Sequence, residues 1–131
     1  MSYGKAALRL QKELKSFGDS DPSIAISVRE GNIKDLRIFM LGPDGTPHAD
    51  AVLFFVVSIP DGYPLSAPKF SITTTGGGVV RLHPNLYAGG KVCVTALGTW
   101  TSSDRGANGW SPATQLSAVA VAIRSLCISD P

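Results

Sequence analysis

RLHPNLYAGGKVCVTALGTW, residues 81–100, sets one cysteine in a context with no obvious structural purpose, and the rest of the chain is read outward from it. His83-Pro84-Asn85 reads as a rigid turn: proline fixes its own φ and restrains the residue before it, and asparagine tolerates the conformations turns need. Gly89 and Gly90 follow, and then a short strand, Lys91 to Ala96, that carries Cys93, eight residues beyond Asn85. Taken alone, a cysteine between Val92 and Val94 reads as a small buried hydrophobe. An amide donor on a rigid turn ahead of a thiol is, however, a layout suited to acyl transfer. The thiolate carries the acyl group and the asparagine side chain donates to the oxyanion.

The whole string decides between these readings. His83-Pro84-Asn85, then Val92-Cys93, then Trp110-Ser111-Pro112-Ala113 before a helix, resembles the catalytic core of the ubiquitin-conjugating (E2) enzymes, and the resemblance extends from the first helix to the end of the chain. Leu97-Gly98-Thr99-Trp100, separated from Trp110 by the polar segment 101–109, is similar to the subgroup that contains the large Apollon/BRUCE-type enzymes. The fold it implies is α+β. It has an N-terminal helix, a four-stranded antiparallel meander, a catalytic loop with a short strand, and a central helix, without the C-terminal helices usual in the family.

Composition agrees with one domain over residues 1–131. The chain is 44% hydrophobic and 17% charged, ordinary for a soluble globular protein with a single core. No apolar run approaches the ~18 residues of a membrane span, so no membrane partner is expected. The charged N-terminus has no apolar stretch of signal-peptide type, which argues against secretion. Two cysteines without partners at metal-ligand spacing suit a reducing compartment, and the expected location is cytoplasm, nucleus or both. The resemblance implies neither a metal nor another cofactor, and a net charge of +2 is too small to imply nucleic acid.

Along the chain, helical spacing from about Tyr3 to Phe17 puts Ala7, Leu10, Leu14 and Phe17 on one face and Lys5, Arg9 and Lys12 on the other. Ile24 to Val28 and Leu36 to Met40 alternate as half-buried strands, and Gly42-Pro43-Asp44-Gly45 is a strong turn cluster. Ala51 to Val57 is an unbroken apolar run, which reads as a fully buried central strand. Pro60 to Pro68 must be a loop, and Lys69 to Thr73 is the fourth strand. Thr73 to Gly78 reads as a flexible connection with no phosphate-binding context. Ser111 is expected to cap the last helix, with Pro112 in its first turn. Leu116, Val119, Ala120, Ile123 and Cys127 form that helix's apolar stripe.

The resemblance implies that an activating enzyme (E1) passes ubiquitin or a ubiquitin-like protein to Cys93 as a thioester. A substrate lysine or a ligase (E3) cysteine then attacks it. It implies that Asn85 serves the oxyanion, that His83 and Pro84 build the turn, and that E1 and the ligase dock on Arg9, Lys12, Ser111, Pro112 and Ala113. Leu65 falls where family members insert a bulky residue into RING or HECT ligases; equally, a loop leucine beside prolines packs inward. The acidic residue that in the family orients the incoming lysine lies beyond Asp130-Pro131, where the sequence stops, so the chain is either a minimal E2 or part of a longer polypeptide. Asp104 in the 101–109 segment and Asp130 are the candidates to replace it. Two rivals stand beside this reading. One is an E2-like module that binds ubiquitin without chemistry, against which Cys93 argues. The other is a cysteine hydrolase, which needs a histidine paired with the thiol, and only His48 and His83 exist.

Overall fold

A computed structural model describes residues 2–17, 21–92 and 110–125. The chain forms α1 (Ser2–Phe17), then β1 (Ile24–Arg29), β2 (Asn32–Leu41), β3 (Val52–Ser58) and β4 (Lys69–Ile72), and finally α2 (Leu116–Ile123). The strands make one antiparallel sheet in the order β1-β2-β3-β4, the expected meander. Short links between sequential strands leave hairpins as the natural connection. At Gly31 the backbone has φ +78°, a conformation open to glycine without strain, and it reverses the chain from β1 into β2.

The core lies on one face of the sheet. Leu36, Ile38 and Met40 of β2, Leu53, Phe55 and Val57 of β3, and Phe70 and Ile72 of β4 are buried there against Leu10 and Phe17 of α1 and Leu116, Val119, Ala120 and Ile123 of α2. Each such Leu, Ile, Val, Met or Phe side chain contributes roughly 1.5–3 kcal/mol by leaving water. Arg124, just past α2, donates from Nε to the Leu41 carbonyl (2.9 Å) and so ties the helix end to the end of β2.

Three expectations change. β3 is not buried on both faces: Val52 and Phe54 remain 45% and 43% exposed, because the strand's period of two sends alternate side chains to a sheet face that neither helix covers. On that face Phe54 meets its cross-strand partner Phe39 edge to face, with ring centroids 4.8 Å apart. The buried stripe of α1 is Ala6, Leu10, Glu13 and Phe17, with Ala7 and Leu14 only half-buried, so a carboxylate sits where apolar periodicity alone puts none. The 73–78 segment is a built turn rather than a loose connection. Thr75 is buried and its carbonyl accepts from both Val79 N (2.9 Å) and Val80 N (2.8 Å), while Gly76, Gly77 and Gly78 all take positive φ.

Of the expected strand from Lys91 to Ala96, Lys91 and Val92 are described; they form single bridges to Ser71 and Leu86. Residues 93–96 lie outside the described residues, as do Asp104, Cys127 and Asp130.

Candidate active site

Around His83-Pro84-Asn85 the chain makes a closed β-turn, with Leu86 N donating to the His83 carbonyl at 2.8 Å. The Asn85 N–H donates to His83 Nδ1 at 3.0 Å. His83 is thereby a structural member of the turn, its Nδ1 occupied as an acceptor. Leu86 is fully buried and pins the turn to the core. Residues 87–91 then fold back: Tyr87 N donates to the Lys91 carbonyl (2.9 Å) and Gly90 N to the Tyr87 carbonyl (3.0 Å).

This loop is fastened to the sheet edge. Ile72 N donates to the Gly90 carbonyl at 2.9 Å, and Ser71 bridges Lys91. Gly90 takes φ +106°, and a Cβ there would come within 3.3 Å of the Ile72 carbonyl oxygen, so the close approach of loop to strand requires glycine. The bridge between Leu86 and Val92 pairs the residue after Asn85 with the residue before Cys93. An open groove of about 410 Å³, lined by residues 68–71 and 89–92, runs up to this bridge.

Elsewhere a buried carboxylate organises the residues expected to dock partners. Glu13 is 4% exposed. Its Oε2 accepts from Arg9 Nε at 3.0 Å and from the Tyr63 hydroxyl, and its Oε1 accepts from Leu116 N at 2.7 Å. The α2 cap is therefore supplied in trans by α1, where a carboxylate also complements the helix dipole. This corrects the expectation that Ser111 is the cap. Ser111 instead closes a separate turn, its carbonyl accepting from Thr114 N at 3.0 Å, and α2 starts only at Leu116. Burial and the neighbouring Glu13 carboxylate push the Tyr63 hydroxyl far above the usual phenol range, so it stays a donor.

Arg9 is turned inward rather than displayed. It pairs with Glu13, donates from Nη2 to the Thr114 carbonyl (2.9 Å), and lies 5.9 Å from the Tyr63 ring centroid. Lys12, Ser111, Pro112 and Ala113 are exposed. Leu65 is 79% exposed, which removes the inward-packing alternative. Trp110 Nε1 donates to the Pro64 carbonyl at 2.8 Å and its ring lies 5.8 Å from that of Tyr63, so the Leu65 loop, the 110–114 segment and α1 are joined in one region.

Sequence reading missed Glu13, although a signal was present: it lies three residues after Leu10 and four before Phe17, on the apolar face, and four after Arg9. Glu13→Ala leaves the Tyr63 hydroxyl and the Leu116 N–H without an acceptor. The expected loss is about 2 kcal/mol, or a fall of about 8 °C in thermal midpoint, and Glu13→Gln, which keeps an acceptor oxygen, should lose less. Thermal denaturation followed by circular dichroism checks both; an unchanged midpoint for Glu13→Ala sinks the assignment.

Among the described residues no three His, Cys, Asp or Glu side chains are grouped to hold a metal ion, and no helix is long and apolar enough to cross a membrane.

Known proteins resemble this chain in sequence and in fold. The sequence profile described as "Ubiquitin-conjugating enzyme" matches residues 9–131. The probable ubiquitin-conjugating enzyme protein 17 of Caenorhabditis elegans is 40% identical over 129 residues, covering 94% of this chain and 17% of its own length. The human dual E2 ubiquitin-conjugating enzyme/E3 ubiquitin-protein ligase BIRC6, which is the Apollon/BRUCE protein, is 35% identical over 128 residues, 93% of this chain and 3% of its own. The chain thus spans only a small part of these curated relatives. A crystal structure of a ubiquitin-conjugating enzyme E2 from Plasmodium falciparum superposes with a TM-score of 0.78 at 26% identity, over 96% of this chain and 85% of that one. With the meander, the loop fastened to its edge and the His-Pro-Asn turn all in place, the profile match over nearly the whole chain makes the assignment plain: this chain belongs to the ubiquitin-conjugating enzyme family.

Proposed function

We propose that the protein carries ubiquitin or a ubiquitin-like protein as a thioester on Cys93 and hands it on, working in the reducing cytoplasm or nucleus. The observation that carries this is the Leu86–Val92 bridge, which pairs the chain neighbours of Asn85 and Cys93 across the loop. In the first step the Cys93 thiolate attacks the modifier's C-terminal thioester on E1. The new C–S bond forms as the bond to the E1 sulfur breaks, and E1 leaves as thiolate. In the second step an uncharged lysine amine, or a ligase thiolate, attacks the carbonyl carbon. Cys93 departs as thiolate, and the amine proton goes to base. Attack by the amine passes through a tetrahedral oxyanion, toward which the Asn85 amide donates. Asp104 or Asp130 orients the incoming ammonium and eases its deprotonation.

The relatives matched here carry this domain as one part of a longer chain, so the modifier, E1 and ligase are assigned by experiment. Purified protein, a candidate E1, modifier and ATP, separated on gels without and with thiol reductant, test the reading. A shifted band that requires ATP and disappears with reductant is expected. Release of ubiquitin from an ester without E1 would instead establish the hydrolase, for which the engagement of His83 Nδ1 within its own turn leaves little support.

E1 and a RING or HECT ligase dock, in this reading, on Lys12, Leu65 and the Ser111-Pro112-Ala113 turn. Arg9 holds that surface together from beneath through Glu13 and Thr114. Because Leu65 is exposed, Leu65→Ala should slow ligase-dependent discharge severalfold while moving the melting temperature by less than about 2 °C, the scale of surface substitutions. Unaltered discharge with a cognate ligase removes Leu65 from the interface.

A further inference from the structure

The Pro84-Asn85 peptide is the central peptide of the His83 to Leu86 turn, and it is held at both poles. Its N–H donates to His83 Nδ1 at 3.0 Å, and its carbonyl, that of Pro84, accepts from Arg81 Nη2 at 2.6 Å. Type I and type II turns differ mainly by a flip of this one peptide plane, with the turn's ends unmoved. The bond from Leu86 N to the His83 carbonyl fixes the ends and therefore leaves the flip open. A flip would carry the carbonyl away from Arg81 and the N–H away from the imidazole together. It would also change φ at Asn85, and with it the direction of the Asn85 side chain.

Arg81 is an exposed residue, so one hydrogen bond to a carbonyl would hold it only weakly. A second contact fixes it: the guanidinium carbon lies 3.9 Å from the centroid of the Tyr87 ring, within cation–π range, and Tyr87 is itself fastened through its backbone to Lys91 and Gly90. The guanidinium thus links the two limbs of the loop, bonded to the Pro84 carbonyl and set over the Tyr87 ring.

We infer that Arg81, backed by Tyr87, is a positioning residue for acyl transfer: it holds the Pro84-Asn85 peptide in one orientation and so keeps the Asn85 amide aimed at the oxyanion. The inference rests on the thioester reaction proposed above. It assigns Arg81 a role in transfer, distinct from stability, because the turn's ends and the Leu86 anchor stay in place without it.

The test follows single-turnover discharge of the charged protein to free lysine. Arg81→Ala should lower the saturating rate about tenfold, within the range caused by a misplaced catalytic group, with the KM for lysine unchanged and discharge reduced far more than E1-dependent charging. Tyr87→Ala should fall similarly, Tyr87→Phe should keep the ring and the rate, and Arg81→Lys should recover part of the loss. In an Asn85→Ala background, adding Arg81→Ala should cost nothing further, since its effect runs through that side chain. A further tenfold loss there overturns the inference, as does a lowered melting temperature with equal loss in charging and discharge. If the unaltered protein charges and Arg81→Ala discharges at the same rate, the inference alone fails. If the unaltered protein never accepts a thioester on Cys93, the parent reading fails and takes the inference with it.

Discussion

Cys93→Ala is expected to accept no modifier from E1, while Cys127→Ala charges at the rate of the unaltered protein. The ground is chemical: only a thiolate in the acyl-transfer loop exchanges with the E1 thioester, and the loop holds one cysteine, next to the residue bridged to Leu86. Cys127 lies outside the described residues and, in the sequence, outside that loop; its helical spacing from Leu116, Val119, Ala120 and Ile123 reads as a core position. Cys93→Ser should convert the reductant-sensitive band to a reductant-resistant oxyester, because the hydroxyl forms an ester that thiols do not readily exchange. Non-reducing and reducing gels of the three variants decide the matter. Charging that survives Cys93→Ala and vanishes with Cys127→Ala reverses the assignment.

The second large effect concerns Asn85→Ala. Losing one oxyanion donor costs roughly 10²-fold in rate, and the loss should fall on aminolysis, where an amine attacks the thioester and the tetrahedral intermediate must be held until sulfur leaves. Charging, an exchange between two thioesters of similar energy, should be largely kept. Rates of charging and of discharge to free lysine, measured on the same preparation, separate the two steps. An equal loss in both points to a turn that no longer forms, and a melting curve then shows the defect.

Much of the fold was legible because its signals are local. A period of two in Ile24 to Val28 and Leu36 to Met40, turn residues at Gly31 and Gly42 to Gly45, and helical spacing from Leu116 on each act over a few residues, and strands and helices form there, although β2 already begins at Asn32 and α2 begins at Leu116 rather than after Ser111. The apolar run Ala51 to Val57 misled for the same reason. Seven residues of like polarity carry no record of which face the rest of the chain covers, and the helices cover only one.

The site divides along the same line. The sequence by itself determined the His-Pro-Asn turn, since it depends on the backbone preferences of those residues, and it places the cysteine eight residues on; that Gly90 lets the loop approach β4 shows only in the fold. Only the tertiary structure decided what Glu13, Arg9 and Arg81 do. Glu13 meets Tyr63 and Leu116, 50 and 103 residues away, and Arg9 meets Thr114, 105 away. Arg81 reaches Pro84 and Tyr87 only because the turn between them reverses the chain. A charged side chain satisfies itself with whichever donors or acceptors the topology brings to it. Its partners are therefore a property of the assembled fold, whereas the strands, helices and turns are written in neighbouring residues.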